Sequence, residues 1–282
     1  MATPPPLTLY SCKGSCAFIP HAILAHAGVP FSLVMMKQAP DGNRTNSRLE
    51  AADGSLSHEA FLTINPRGYV PTLVVGSGPD AEIITELPAV VTYVASVAAD
   101  QGHNLLGAPD HLTRARIAEW LAWTSGTLLM TGFAAMWRPG RFADDSDAAT
   151  MENVKRRGSE VVSKSFATID GKLAGKHFAV GDGLTVVDFA LYLYWWWWDD
   201  EPDVETRFPN YAHDSSQYHL YYPKTSNINP ILGPYRWDFV YDPDLSNTFY
   251  TFSQERGFFD PISPGAFRTN SPGSFEHARG IL

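Results

Sequence analysis

Two cysteines, Cys12 and Cys16, lie four positions apart near the start of a 282-residue chain. Gly14-Ser15-Cys16 falls between a short apolar run and a run of helix formers. A thiol at a helix N-terminus faces unpaired N–H groups and the positive end of the dipole, and both favour thiolate. The plainer reading is a small buried residue at a helix start, and Cys16 alone does not choose between the two. Two thiols cannot complete a structural zinc site, and the nine histidines are scattered without ligand spacing, so no metal is expected.

Two further segments could meet that thiol. Tyr69-Val70-Pro71-Thr72 precedes a strand. A cis Val70-Pro71 bond there would offer the backbone N–H and C=O of Val70 to an extended ligand, although base rates favour a trans turn. Thr85-Glu86-Leu87 opens a helix after a strand. The helix start can hold a carboxylate through its N–H groups, and Glu86 can meet an ammonium group. A first-turn acid that only complements the dipole is the bland alternative. Ser11 and Ser15 are nearby hydroxyl donors.

The elements that would position these groups follow from patterning. Leu7–Tyr10 reads as a strand, Cys16–Ala27 as a helix ended by Gly28, and Phe31–Met36 as a parallel second strand. The polar stretch Lys37–Ser57 reads as a mobile loop and Ser57–Thr63 as a short helix. Thr72–Val75 and Glu82–Ile84 read as a hairpin, and Glu86–Ala98 as a helix whose first turn tolerates Pro88. The order is βαβαββα.

After a linker at Asp100–Ala108 the strand signals stop. One helix is expected to run to about Met136, a second from Ala148 to Leu173, and a third from Leu184 through Tyr192 and the Trp run. Thr185 and Asp188 have capping-box spacing. Trp195–Trp198 cannot share one helix face, so core packing is favoured over ligand contact. The expected domains are an α/β unit at 1–99, an all-α unit at 108–215 and an irregular aromatic and Pro-rich tail at 216–282, which could coat the helical unit.

The formal charge of −9 argues against nucleic acid and against docking on an anionic membrane. Phe189–Trp198, the longest apolar stretch, is too short to span a bilayer. The N-terminus carries neither a basic region nor an apolar signal core, so a cytoplasmic location is expected.

In this order and spacing, Leu7–Ala98 resembles the thioredoxin-like domain of the glutathione S-transferase superfamily, and Thr185–Leu193 its helical-domain capping box. Gly14–His21 and Asn65–Pro71 are similar to the cysteine motif and proline loop of the beta class, and Glu119-Trp120-Leu121 and Trp137-Arg138-Pro139 fit its first long helix. The resemblance covers residues 7–212. It implies that Cys16 lies beside the sulfur of glutathione, as co-substrate, with Ser15 and Ser11 as backup donors. Val70, before Pro71, would pair with the cysteinyl backbone. Glu86 would meet the γ-glutamyl ammonium, and the Leu87 N–H its carboxylate.

The implied activity is that of a glutathione transferase. Glutathione thiolate would attack a small hydrophobic electrophile by conjugation or thiol exchange, in a homodimer, and a tailoring step in a biosynthetic route is one version. The alternative is a non-catalytic binding or regulatory module. Three departures bear on the choice. Leu87 replaces the usual Ser. Ala122, Gly126 and Leu129 replace polar side chains of the first long helix. The family's closing helices are not recognisable after Asn210.

Overall fold

A computed structural model describes residues 5–42, 47–144 and 146–212, with the backbone of two strands at 238–241 and 248–251. The first half is built on β1 (Leu7–Cys12), β2 (Ser32–Gln38), β3 (Leu49–Ala51), β4 (Thr72–Val75) and β5 (Glu82–Thr85), in the spatial order β3-β2-β1-β4-β5. β1 runs parallel to β2 and antiparallel to β4, so Tyr10 is paired with Val34 on one side and Thr72 on the other. Side chains alternate across β1. Leu7 and Leu9 enter a large core with α1 (Phe18–His26) and α3 (Leu87–Asp100). Tyr10 and Cys12 face a smaller core with Met36, Leu49, Ala51 and Phe61 of α2 (His58–Ile64).

β3 corrects the expectation of a loop over Lys37–Ser57. Its outer residues Leu49 and Ala51 are buried while Glu50 turns outward to Lys37 at 3.5 Å. Three residues are too few to show an alternation within a polar stretch. The start of α1 is also corrected, from Cys16 to Phe18: a turn closed by Ser15 N–H donating to Cys12 O (3.1 Å) holds Cys16 just ahead of the helix. Gly14 takes a φ of +70° in that turn, which a side chain would resist.

The second half is helical. α4 (His111–Trp123) does not continue regularly to Met136. It passes through a wide π stretch, Thr124–Phe133, into α5 (Ala134–Trp137). Hydroxyls divert the backbone here: Thr124 donates to Trp120 O at 2.8 Å, and Thr131 reaches back five residues to Gly126 O at 3.0 Å. α6 spans Ala148–Leu173, α7 Val186–Trp196 and α8 Val204–Arg207. At Gly158 of α6 a Cβ would stand 2.5 Å from Met136 N and 2.8 Å from Gly132 O, so the absent side chain sets how closely the helices approach.

The capping box forms. Asp188 accepts from Thr185 N (2.6 Å), Thr185 Oγ1 (2.9 Å) and Ala179 N (2.8 Å), and Val186 N donates to Leu105 O (3.0 Å), tying the linker to the base of α7. Trp195, Trp197 and Trp198 are buried in a ring cluster with Phe133, Phe166 and Tyr194.

The architecture is thus an α/β sheet unit followed by an all-α unit. The reading of 216–282 as a coat lies outside the described residues, apart from the strands β6 (Asp238–Tyr241) and β7 (Thr248–Thr251). These pair antiparallel where no alternation was expected.

Candidate active site

The loop leading to Pro71 is organised by one buried amide. Asn65 Nδ2 donates to Tyr69 O and Thr72 Oγ1, both at 2.9 Å, and its Oδ1 accepts from Arg67 N at 3.1 Å. Thr72 Oγ1 in turn donates to Tyr69 O at 2.8 Å. These bonds pin both sides of Val70, and the Val70-Pro71 peptide is cis. Across 54 residues of sequence, the Cys16 thiol donates to Val70 O at 3.8 Å, within range for sulfur. The cysteine loop and the proline loop therefore meet.

Glu86 begins α3 from an unusual backbone position, φ +68° and ψ 125°. A non-glycine residue there costs about 1–3 kcal/mol and persists where surrounding structure enforces it, commonly at ligand sites. Its exposed carboxylate accepts from Arg67 Nη1 at 2.5 Å. Leu87 is buried in the large core, so only its backbone can serve a ligand. Glu86 also lies close enough to Cys16 for its charge to bear on the thiol.

The structure thus brings Cys16, Val70, Pro71 and Glu86 to one end of the sheet. Ser15 is spent locally: its hydroxyl donates to Cys12 O at 2.7 Å and accepts from Ala17 N at 3.3 Å. Ser11 is buried within β1.

Electrostatics bear on the choice, left open by the sequence, between a thiolate and a small buried residue at Cys16. Burial pushes the Cys16 thiol up to about 12; Glu86 adds to the rise, while its own backbone hydrogen bond and the Arg138 guanidinium oppose it. Burial raises Cys12 to about 12 as well, again against Arg138. The backbone hydrogen bond that favours thiolate is outweighed by desolvation, because Cys16 packs against the large core. At neutral pH Cys16 is a hydrogen-bond donor. Among the described residues no three His, Cys, Asp or Glu side chains gather as a metal site.

Comparisons with known proteins bear on this arrangement. The C-terminal domain model of the glutathione S-transferases matches residues 129–212. A sphingomonad glutathione S-transferase solved with glutathione aligns over 80% of this chain and 95% of its own, with 23% identity and a TM-score of 0.59. The bacterial beta-class enzyme of Sphingomonas chungbukensis aligns over the same shares at 22% and 0.59. The fold is therefore that of the solved glutathione S-transferases, and the helical half matches their C-terminal domain over residues 129–212. Glutathione S-transferase 3 of Zea mays is 28% identical over 144 residues, which is 50% of this chain and 60% of that protein. The chain therefore spans less than two thirds of that curated relative.

Within this glutathione S-transferase fold, several residues at the site escaped sequence reasoning. Arg67 and Asn65 were read only as members of the Asn65–Pro71 loop, with no role of their own. Trp197 donates from Nε1 to Gly14 O at 3.1 Å, buried, and so fastens the helical half to the cysteine loop. Arg138, buried at 6% exposure, and Tyr194, at 0%, come from the same half. The Trp-Arg-Pro signal at 137–139 marked Arg138 as part of a family motif. No local signal marked Tyr194 or Trp197.

Proposed function

We propose that the protein is a glutathione transferase acting by conjugation. Cys16 donates a hydrogen bond to the sulfur of bound glutathione rather than attacking as a thiolate. The observation that carries this reading is the Cys16 thiol. It is aimed at the Val70 carbonyl at 3.8 Å and held protonated by its surroundings. An extended tripeptide pairing with Val70 would bring its own sulfur to that donor, and the first-turn N–H groups of α3 at Leu87 would receive its terminal carboxylate. Glu86 would take its ammonium by displacing Arg67. Proximity and a fixed donor then supply the rate. The electrophile is small and hydrophobic, in keeping with the aromatic helical half, and the working form is a cytoplasmic homodimer. No helix among the described residues is long and apolar enough to cross a membrane.

One observation favours a second reading, a non-catalytic binding module. Arg67 already occupies Glu86, and an ion pair there leaves the ammonium site closed. Retention on immobilised glutathione followed by turnover of a chromogenic electrophile separates the two. Retention with turnover supports the transferase, and retention alone supports the module. Failure to bind defeats both.

A further inference from the structure

The sulfur centre has a second wall, contributed entirely by the helical half. It is located by contacts on both sides. Trp137 meets the ring of Trp197 at 5.6 Å, and Trp197 bonds the carbonyl of Gly14, two residues before Cys16. The turn that begins at Arg138 brings Arg141 over the ring of Tyr69 at 5.3 Å, one residue before Val70. Arg138 is thus bracketed between the loop that carries Cys16 and the loop that carries Val70, and it is buried there. Tyr194 lies three positions before Trp197, on the same side of α7, with ring centroids 5.4 Å apart. Its hydroxyl is buried and has no hydrogen-bond partner among the described residues. The Thr124 and Ser125 hydroxyls lie beside it, and that of Ser125 is likewise buried without a hydrogen-bond partner among the described residues.

A fully buried phenol that donates to no acceptor is costly, and its O–H stays available to an acceptor brought in by a ligand. A guanidinium beside it is a permanent positive charge. We propose that Arg138 and Tyr194 form an anion-stabilising wall for the sulfur centre, the guanidinium supplying charge and the phenol a hydrogen bond to a sulfur anion formed beside Cys16. They serve in place of the polar side chains absent at Ala122, Gly126 and Leu129.

Electrostatics agree. Arg138 draws both Cys12 and Cys16 downward, and Cys16 raises the phenol of Tyr194, which therefore stays protonated and able to donate. The titratable and charged groups facing Cys16 are Cys12 at the end of β1, Glu86 at the start of α3, Arg138 and Tyr194. Arg138 is the cation in that set.

This inference deepens the transferase reading and rests on the same cleft, but its test needs no glutathione. Alkylation of Cys16 by iodoacetamide, read by peptide mapping in the free protein, is proportional to thiolate fraction at any pH below the thiol midpoint. A pKa shift therefore appears as a constant ratio of rates. Arg138→Met is expected to slow alkylation about tenfold, Arg138→Lys to remain within about threefold of the parent, and Tyr194→Phe to slow it about threefold. Tyr194→Phe removes only a hydroxyl without a partner and should fold, so it keeps the test valid if Arg138→Met does not. Parental rates in Tyr194→Phe, or in a folded Arg138→Met, would overturn the proposal, as would a Lys variant no better than the Met variant. A protein that follows the expected ratios yet ignores glutathione would refute the transferase reading and leave this wall standing.

Discussion

Trp197→Phe should weaken the molecule at the seam between its halves. The indole Nε1 donates to Gly14 O at 3.1 Å, and both residues are buried. Phenylalanine keeps an aromatic ring against Phe133 (5.2 Å), Tyr194 (5.4 Å) and Trp137 (5.6 Å), so most of the packing survives. What is lost is a donor, leaving a buried carbonyl unsatisfied at about 1–3 kcal/mol, plus about 1 kcal/mol for the space left by the smaller ring. The expected loss is about 2–4 kcal/mol, or about 5–15 °C in Tm for a chain of this size. Urea unfolding gives the total. Hydrogen exchange over residues 11–18 gives the local part, because the carbonyl belongs to the cysteine loop. The reasoning fails if stability falls by less than about 1 kcal/mol, or if exchange in that loop is unchanged while the helical half loosens.

Other perturbations have similarly defined outcomes. Gly158→Ala places a Cβ against backbone that cannot yield, 2.5 Å from Met136 N, and should cost about 2–3 kcal/mol by denaturant titration. Asp188→Ala orphans three donors at the base of α7 and should cost more than about 3 kcal/mol; a mutant that keeps the parental urea midpoint would contradict the role given to the capping box. Burial holds His21 and His26 neutral, each lowered to about 4, with His103 adding to the effect on His26. The unfolded chain binds these protons from about pH 6.5 downward while the folded one does not. Stability should therefore be full above pH 6.5 and fall by up to about 3 kcal/mol per histidine as pH drops to 4, and His21→Phe should flatten the pH dependence of the urea midpoint.

Much of the site was legible because its signals are local. The cysteine loop, the Val-Pro step, the acid that opens α3 and the Thr185–Asp188 box each sit within a few residues, and short-range rules read them. What was missed is long-range or too short. β3 is three residues recruited by the side chains of Tyr10 and Phe61 on other elements. Arg67 reaches Glu86 nineteen positions away, and Trp197 reaches Gly14 across 183. The protonation of Cys16 stayed open at the level of sequence for a related reason. The helix start could be seen in the sequence, whereas the burial that outweighs it depends on how the helical half folds over the loop.

The most direct test of the account is a crystal structure with glutathione bound. The account predicts the tripeptide paired with the backbone of Val70, its sulfur within hydrogen-bond reach of Cys16 Sγ, and its ammonium on Glu86 with Arg67 turned away. Glutathione bound elsewhere, or bound with Cys16 still donating to Val70 O and Arg67 still on Glu86, would contradict it.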